Sequence, residues 1–122
     1  MRWLHLKTFE RSRKTSRNKG HKSERQIAQE MRELGYAECE TSRYANRKLD
    51  DACVDLVETP PFNVQCKAYK NQPNLRKELD KMPEDSNYNL IFLKRPYQKD
   101  TVTMDKEDFY EIIKMLKSEK VI

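Results

Sequence analysis

Glycine is nearly absent from this chain of 122 residues, which contains only Gly20 and Gly35. The loops that cradle nucleotide phosphates need several closely spaced glycines, so the common nucleotide-hydrolysing folds are excluded. No apolar run approaches the roughly 20 residues that span a bilayer. The first residues also lack the continuous apolar segment of a secretory signal. We therefore expect a protein of the cytoplasm.

Cysteine is scarce as well, and the three residues are Cys39, Cys53 and Cys66. Their number is odd and no two have Cys-x-x-Cys spacing, which argues against a disulfide framework. The spacings also match no familiar zinc-ligand pattern, even with the two histidines included. We expect buried free thiols in a reducing compartment, with Cys53 and Cys66 on predicted strands.

Charged residues are abundant and unevenly distributed. The net charge is +5, and residues 1–22 contain eight basic residues against a single acid. Residues 11–20 contain no apolar residue, so we expect a basic, flexible arm over residues 1–22 and one folded domain over residues 23–122. The arm would bind a polyanion in a salt-dependent way, because phosphate contacts release counterions. An arm that only improves solubility is the alternative.

An apolar segment at residues 52–69 predicts a β-hairpin. A turn centred on Pro60 places Asp55 opposite Gln65, and a slip of two residues would place it opposite Lys67 on the same face. A carboxylate, an amide oxygen and an ammonium thus lie within cross-strand reach. These groups suit a hard divalent cation beside a phosphate. The alternative is a structural salt bridge between Asp55 and Lys67.

This hairpin resembles that of the PD-(D/E)xK nuclease superfamily, in which an Asp and an acidic-x-Lys motif lie on adjacent strands. The motif here is Val54-Asp55, followed after nine residues by Gln65-Cys66-Lys67. Val54 replaces the usual Pro, and Gln65 replaces the usual acid. Glutamine keeps an oxygen ligand but removes one negative charge, so metal binding is expected to weaken unless another carboxylate compensates.

The compensating carboxylate is predicted to be Glu24, at the beginning of a helix over residues 23–34 that Ser23 caps and Gly35 ends. The predicted apolar face of this helix consists of Ile27, Ala28, Met31 and Leu34. Glu24 lies at the head of that face, where an unpaired ionised carboxylate is unusual. The alternative is an acid of the first turn that only complements the helix dipole.

The segments Gly20-His-Lys-Ser-Glu24-Arg25 and Leu34-Gly35-Tyr36 resemble the first helix of archaeal-type Holliday junction resolvases, a branch of the same superfamily. The whole resemblance covers about residues 20–95. It implies a Mg²⁺-dependent microbial or viral endonuclease that cuts branched DNA in recombination or repair. Two active sites, and hence a homodimer, would be needed. The alternatives are a nuclease of linear or single-stranded DNA and a non-catalytic nucleic-acid-binding module on a degenerate nuclease fold.

The resemblance implies a catalytic set of Glu24, Asp55, Gln65 and Lys67. The first three, with the backbone carbonyl of Cys66, would hold one Mg²⁺, for which Mn²⁺ can substitute. Lys67 would position or help deprotonate the attacking water and stabilise charge on the phosphorane. Other basic residues are expected to contact DNA phosphates without reading sequence. They are Arg11, Arg13, Lys14, Arg17, Lys19, Lys22, Arg25, Arg43, Arg47, Lys48 and Lys70.

The predicted fold is α/β, with a restriction-endonuclease-like core of order α-β-β-β-α-β, a mixed central sheet, helices on its faces and a C-terminal helix. Outside the hairpin we expect a strand at 36–43, a basic loop at 43–48, a helix at 74–82 capped by Asn74, a central strand at 88–94 and a short strand at 101–103. The last helix is expected to begin at Asp105. Its predicted buried stripe is Phe109, Ile112, Ile113 and Leu116.

Overall fold

The first helix is longer than the sequence pattern indicates. The structure, a computed structural model, describes the backbone of residues 16–122 and the exposure and contacts of residues 20–122. Helix α1 (Ser16–Glu33) begins seven residues before the predicted start and so includes part of the predicted arm. The capping role of Ser23 was therefore wrong, because Ser23 is a buried residue inside the helix. Gly35 ends the helix as predicted, with a φ of +120° that suits glycine.

The segment after α1 contains two short helices and only a very short strand. Strand β1 (Glu40–Thr41) has two residues, and the helices α2 (Ser42–Ala45) and α3 (Arg47–Asp51) follow it. The predicted long strand at 36–43 and loop at 43–48 were therefore wrong. Asn46 explains part of the difference, since its side chain accepts a hydrogen bond from Leu49 N at 3.1 Å and caps α3.

The predicted hairpin forms only in part. Strand β2 (Leu56–Val57) pairs antiparallel with β1, and strand β3 (Phe62–Ala68) follows a turn closed by the hydrogen bond from Thr59 Oγ1 to Phe62 O. The backbone link to β3 comes from Asp55, whose N–H donates to Val64 O at 2.8 Å. Cys53 lies before β2 rather than in a strand.

The main sheet is mixed and three-stranded, with the order β3-β4-β5. Strand β4 (Tyr88–Lys94) runs parallel to β3, and strand β5 (Thr101–Thr103) runs antiparallel to β4. The predictions of a central strand at 88–94 and a short strand at 101–103 are confirmed. Helix α4 (Leu75–Asp80) connects β3 to β4, and Asn74 caps it as predicted by accepting from Lys77 N. The chain is therefore an α/β protein with a mixed sheet.

Apolar clusters lie on both faces of this sheet. The cluster on the α1 face consists of Ile27, Ala28, Met31, Cys39, Leu56, Val64, Cys66 and Leu90. The cluster on the α4 face consists of Leu79, Met82 and Ile91. Leu34, predicted to belong to the apolar face of α1, is 61% exposed instead. Because Gln65 is the strand partner of Ile91, Gln65 and Lys67 lie on the α4 face, whereas Cys66 faces α1.

The last helix, α5 (Lys106–Ser118), follows Asp105 as predicted, but its predicted burial was wrong. None of its residues is buried, and Phe109 is 50% exposed. The Asp105 carboxylate makes no cap hydrogen bond and instead accepts from Arg76 Nη1 at 2.6 Å. The sheet ends at the short edge strand β5, which leaves little apolar surface for α5 to cover.

Two further predictions concern the state of the cysteines and the crossing of a membrane. All three cysteines are free, with Cys39 and Cys66 buried and Cys53 half-buried. Across residues 16–122, no helix combines the length and the apolar character that crossing a membrane requires.

A buried hydrogen bond of Ser42 joins α2 to the segment before β2, and its contribution to stability can be measured. Its side chain is fully buried, and Oγ donates to Val54 O at 2.6 Å. We expect Ser42→Ala to lower the free energy of unfolding by about 1–3 kcal/mol, because the change removes a buried donor. Urea denaturation measures it, with Ser118→Ala at the exposed end of α5 as the control. Equal stability of the two variants would contradict the assigned bond.

Candidate metal and phosphate site

Asp55 is fixed against the middle of β3. Its Oδ2 accepts a hydrogen bond from Cys66 N at 2.7 Å, and its N–H donates to Val64 O. The two bonds flank Gln65, although no strand pairing joins β2 to β3. Since a strand residue directs its N–H and C=O to the same side, the Cys66 carbonyl also faces Asp55.

Two oxygen atoms of the predicted ligand set are buried without a hydrogen-bond partner. They are Glu24 Oε1 and Gln65 Oε1, and Gln65 is only 2% exposed. A buried acceptor left unsatisfied costs roughly 1–3 kcal/mol, so these atoms mark positions that a bound cation would stabilise. Carboxylate, amide and carbonyl oxygens are also the ligands that Mg²⁺ prefers.

Glu24 approaches Asp55 from α1. Burial raises the pKa of Glu24 to about 7, the charge of Asp55 adds to the rise, and Arg43 opposes it. Burial likewise raises the pKa of Asp55, against the hydrogen bond from Cys66. The dipole alternative for Glu24 was wrong, because this residue lies more than two turns beyond Ser16 and the dipole acts within the first turn.

Asp50 is an acid of this site that the sequence did not reveal. Its charge raises the pKa of both Glu24 and Asp55. It lies on α3, between the predicted basic loop at 43–48 and the predicted hairpin, so no pattern pointed to it. Within residues 16–122, no group of three or more His, Cys, Asp and Glu residues has the geometry of a metal site. A cation here would therefore depend on the Gln65 amide in place of a third carboxylate.

Arg43 lies inside the site. Its side chain is 14% exposed, and Nη1 lies 3.7 Å from Glu24 Oε1. The three guanidinium nitrogens are buried without hydrogen-bond partners, and the group stacks 4.8 Å from the centre of the Tyr44 ring. Arg43 was predicted to contact phosphate, and here it is the internal countercharge of Glu24.

Lys67 is held on the α4 face of the sheet. Its Nζ lies 3.3 Å from Glu78 Oε1, and the Lys67 and Glu78 side chains are 23% and 12% exposed. Burial lowers the pKa of Lys67, but the charges of Tyr69 and Glu78 outweigh burial and raise the pKa above its usual value. Lys67 is therefore a cation at neutral pH. The structural alternative, a salt bridge from Lys67 to Asp55, is replaced by this pair with Glu78, a residue with no signal in the sequence.

The other predicted phosphate contacts are spread over the surface. The exposed ones are Lys22, Arg25, Arg47, Lys48 and Lys70. Arg17 and Lys19 lie on α1, and nothing is described of their side chains. Arg11, Arg13 and Lys14 lie outside the described residues.

A scan against protein-family models finds no match, and searches of curated proteins and of solved structures find none either. The geometry and the charges of the site are therefore the indications of function that this chain offers.

The raised pKa of Glu24 predicts a pH-dependent stability. An acid with a folded-state pKa near 7 favours folding while it is protonated, and this contribution is lost as the pH rises from about 4.5 to about 7. Between pH 4 and pH 8, we expect the free energy of unfolding of the wild type to fall by about 1–2 kcal/mol relative to that of Glu24→Gln, once solvent screening of the charge is included. Chemical denaturation across this range measures the difference.

The control is Glu33→Gln, which removes an exposed acid of the same helix. Only the change with pH is compared, because any constant loss from the Arg43 contact cancels. Parallel curves for wild type and Glu24→Gln would contradict a buried, proton-binding Glu24.

Proposed function

We propose that this chain is a metal-dependent endonuclease that hydrolyses DNA phosphodiester bonds on a restriction-endonuclease-like core. One observation carries the proposal. Asp55 is hydrogen-bonded to β3 on both sides of Gln65, and it lies close enough to Glu24 for its charge to raise the pKa of the Glu24 carboxyl. A hairpin match by chance would not bring in a carboxylate from a separate helix.

The proposed donors are of the type that one hard cation prefers, with Glu24 on the α1 face of the sheet and Gln65 on the α4 face. Glu24, Asp55, the Gln65 amide oxygen and the Cys66 carbonyl would hold Mg²⁺, for which Mn²⁺ can substitute. Bound there, the ion would supply Lewis-acid polarisation of the phosphate and a lower pKa for attacking water. The hydrogen bond from Cys66 N occupies Asp55 Oδ2 and orients the carboxylate. Asp55 Oδ1 would then be the oxygen that binds the metal.

Lys67 has an electrostatic role in this proposal. Its ammonium would donate to a phosphate oxygen and stabilise the charge that develops in the transition state. The raised pKa disfavours the expected alternative in which Lys67 helps to deprotonate water. Glu78 keeps the ammonium on the α4 face, where a phosphate can replace one of its contacts.

The substrate proposal is a branched DNA such as a Holliday junction, cut by a homodimer in recombination or repair. It depends on the resemblance of residues 20–36 to the junction resolvases. The exposed basic residues and the predicted arm would bind phosphates without sequence preference. A nuclease of linear or single-stranded DNA keeps the same site and changes only the substrate.

A non-catalytic nucleic-acid-binding module is the second candidate. Gln65 in place of an acid favours it, and so do the internal ion pairs of Arg43 with Glu24 and of Lys67 with Glu78. Such pairs would stabilise a fold that no longer binds a metal.

Cleavage of a labelled four-way junction and a matched linear duplex, with Mg²⁺ or with EDTA, tests the proposal. We expect paired, Mg²⁺-dependent nicks near the branch. Asp55→Asn should lower the rate by about 100-fold or more, because the variant loses a charged ligand while keeping its size.

The matched control is Asp51→Asn, an exposed acid on α3, which should cleave at the wild-type rate. Cleavage of the linear duplex alone would keep the nuclease and remove the junction preference. Binding without cleavage in any metal would favour the non-catalytic module.

Gln65→Glu tests the role of Gln65 as a ligand. The added charge should tighten Mg²⁺ binding by about 10-fold, or about 1.4 kcal/mol, and should lower stability in EDTA. Calorimetry of Mg²⁺ binding measures the affinity, with Gln29→Glu on the exposed face of α1 as the control. An unchanged affinity would contradict the ligand role.

A further inference from the structure

The turn between β4 and β5, residues 95–100, borders a polar depression that the proposed site does not use. Its volume is about 70 Å³, which suits a group the size of phosphate and excludes a nucleobase. It is lined by Gln72, Leu93, Arg95, Gln98, Lys99 and Thr101. Leu93 is the strand partner of Lys67, so the depression begins one strand away from the catalytic lysine.

Arg95 provides an unsatisfied donor at this depression. Its Nη1 donates to Gln72 Oε1 at 3.0 Å, which fixes the guanidinium, while its Nε is buried without a hydrogen-bond partner. A buried donor of this kind is costly unless an acceptor reaches it, and a phosphate oxygen is an ideal acceptor for guanidinium.

The turn is also electropositive. Lys99 adds an exposed cation beside Arg95. The acid of the turn, Asp100, lies 3.8 Å from Lys94 Nζ in an exposed ion pair and not in a pair with Arg95 or Lys99. The depression therefore combines two cations, amide groups and a volume that together suit one phosphate.

Tyr97 lies at the tip of this turn in an energetically unfavourable backbone conformation. Its side chain is fully exposed, and its φ is +60°, a backbone conformation that bulky residues rarely adopt. Glycine or asparagine would adopt it at lower cost, and Tyr97 gains no packing in return. An exposed aromatic ring between two cationic residues is typical of surfaces that stack unpaired bases.

We propose that the β4–β5 turn is a nucleic-acid-binding element, in which Arg95 and Lys99 hold one phosphate and Tyr97 stacks on an adjacent unpaired base. The inference deepens the proposed function and rests on it. Because neighbouring strands lie about 4.8 Å apart, the phosphate held here is within a few nucleotides of the one at Lys67. The preferred substrate therefore has unpaired bases next to the cleaved bond, as at a branch point or in a single-stranded segment.

Tyr97→Asn separates binding from stability. We expect the variant to unfold at the same or a higher temperature, because asparagine tolerates a positive φ. It should bind a labelled single-stranded oligonucleotide about 5- to 100-fold more weakly, the range for loss of one stacked base, and a fully paired duplex within about 2-fold of wild type. Fluorescence anisotropy in EDTA measures both without cleavage. Tyr110→Asn, on the exposed face of α5, is the control.

Arg95→Gln and Lys99→Gln test the phosphate. Each should weaken binding of the single strand and reduce the salt dependence of log K by about one counterion, whereas Lys117→Gln on α5 should do neither. A methylphosphonate scan of the oligonucleotide should find one position that weakens wild type but not Arg95→Gln.

The outcomes separate this inference from the proposed function. Wild-type affinity of Tyr97→Asn for the single strand would overturn the stacking, and a methylphosphonate scan with no position specific to Arg95 would overturn the phosphate contact. An NMR titration in which inorganic phosphate shifts Arg95 Nε–H, with oligonucleotide binding unaffected by the variants, would also overturn it. Because binding is measured in EDTA, these results stand whether or not Asp55→Asn abolishes cleavage.

Discussion

The hydrogen bond from Cys66 N to the Asp55 carboxylate is the contact on which the candidate site depends. Strand β2 has only two residues and pairs with β1, so no regular ladder joins it to β3. The Asp55 side chain takes the place of a strand at this edge and satisfies a backbone donor of β3. A single carboxylate thus closes the edge of the sheet and remains fixed beside Gln65. Its structural and proposed catalytic roles require the same geometry.

The charged side chains around Asp55 form two separate groups, one on each face of the sheet. On the α1 side, Glu24, Asp55 and Asp50 repel one another, and Arg43 compensates them only in part, as the raised pKa of Glu24 indicates. On the α4 side, Lys67 and Glu78 form a closed pair. An excess of negative charge therefore remains only on the first side, where a divalent cation would relieve the repulsion and lower both raised pKa values.

Two predictions from local patterns are confirmed, namely the Asn74 cap and the apolar strand at 88–94. The Ser23 cap was also predicted from a local pattern and was wrong, because the helix begins earlier. The other errors concern features that depend on distant contacts. Residues 16–22 lack apolar periodicity and still extend α1, the exposure of α5 follows from the narrow sheet, and the Lys67–Glu78 pair exists only because α4 docks on β4.

If the chain binds DNA as proposed, the position of the parallel strands would set the path of the bound strand. In α/β sheets, ligands bind beyond the carboxyl ends of parallel strands. Lys67 and Lys70 lie at or beyond that end of β3, and Arg95 follows the same end of β4. The acids at Asp55 flank β3 on the opposite side. A phosphate chain that crosses this end of the sheet would therefore meet the proposed metal ligands first, then Lys67, and then the β4–β5 turn. Under this geometry, cleavage and recognition of unpaired bases would occur on one continuous strand.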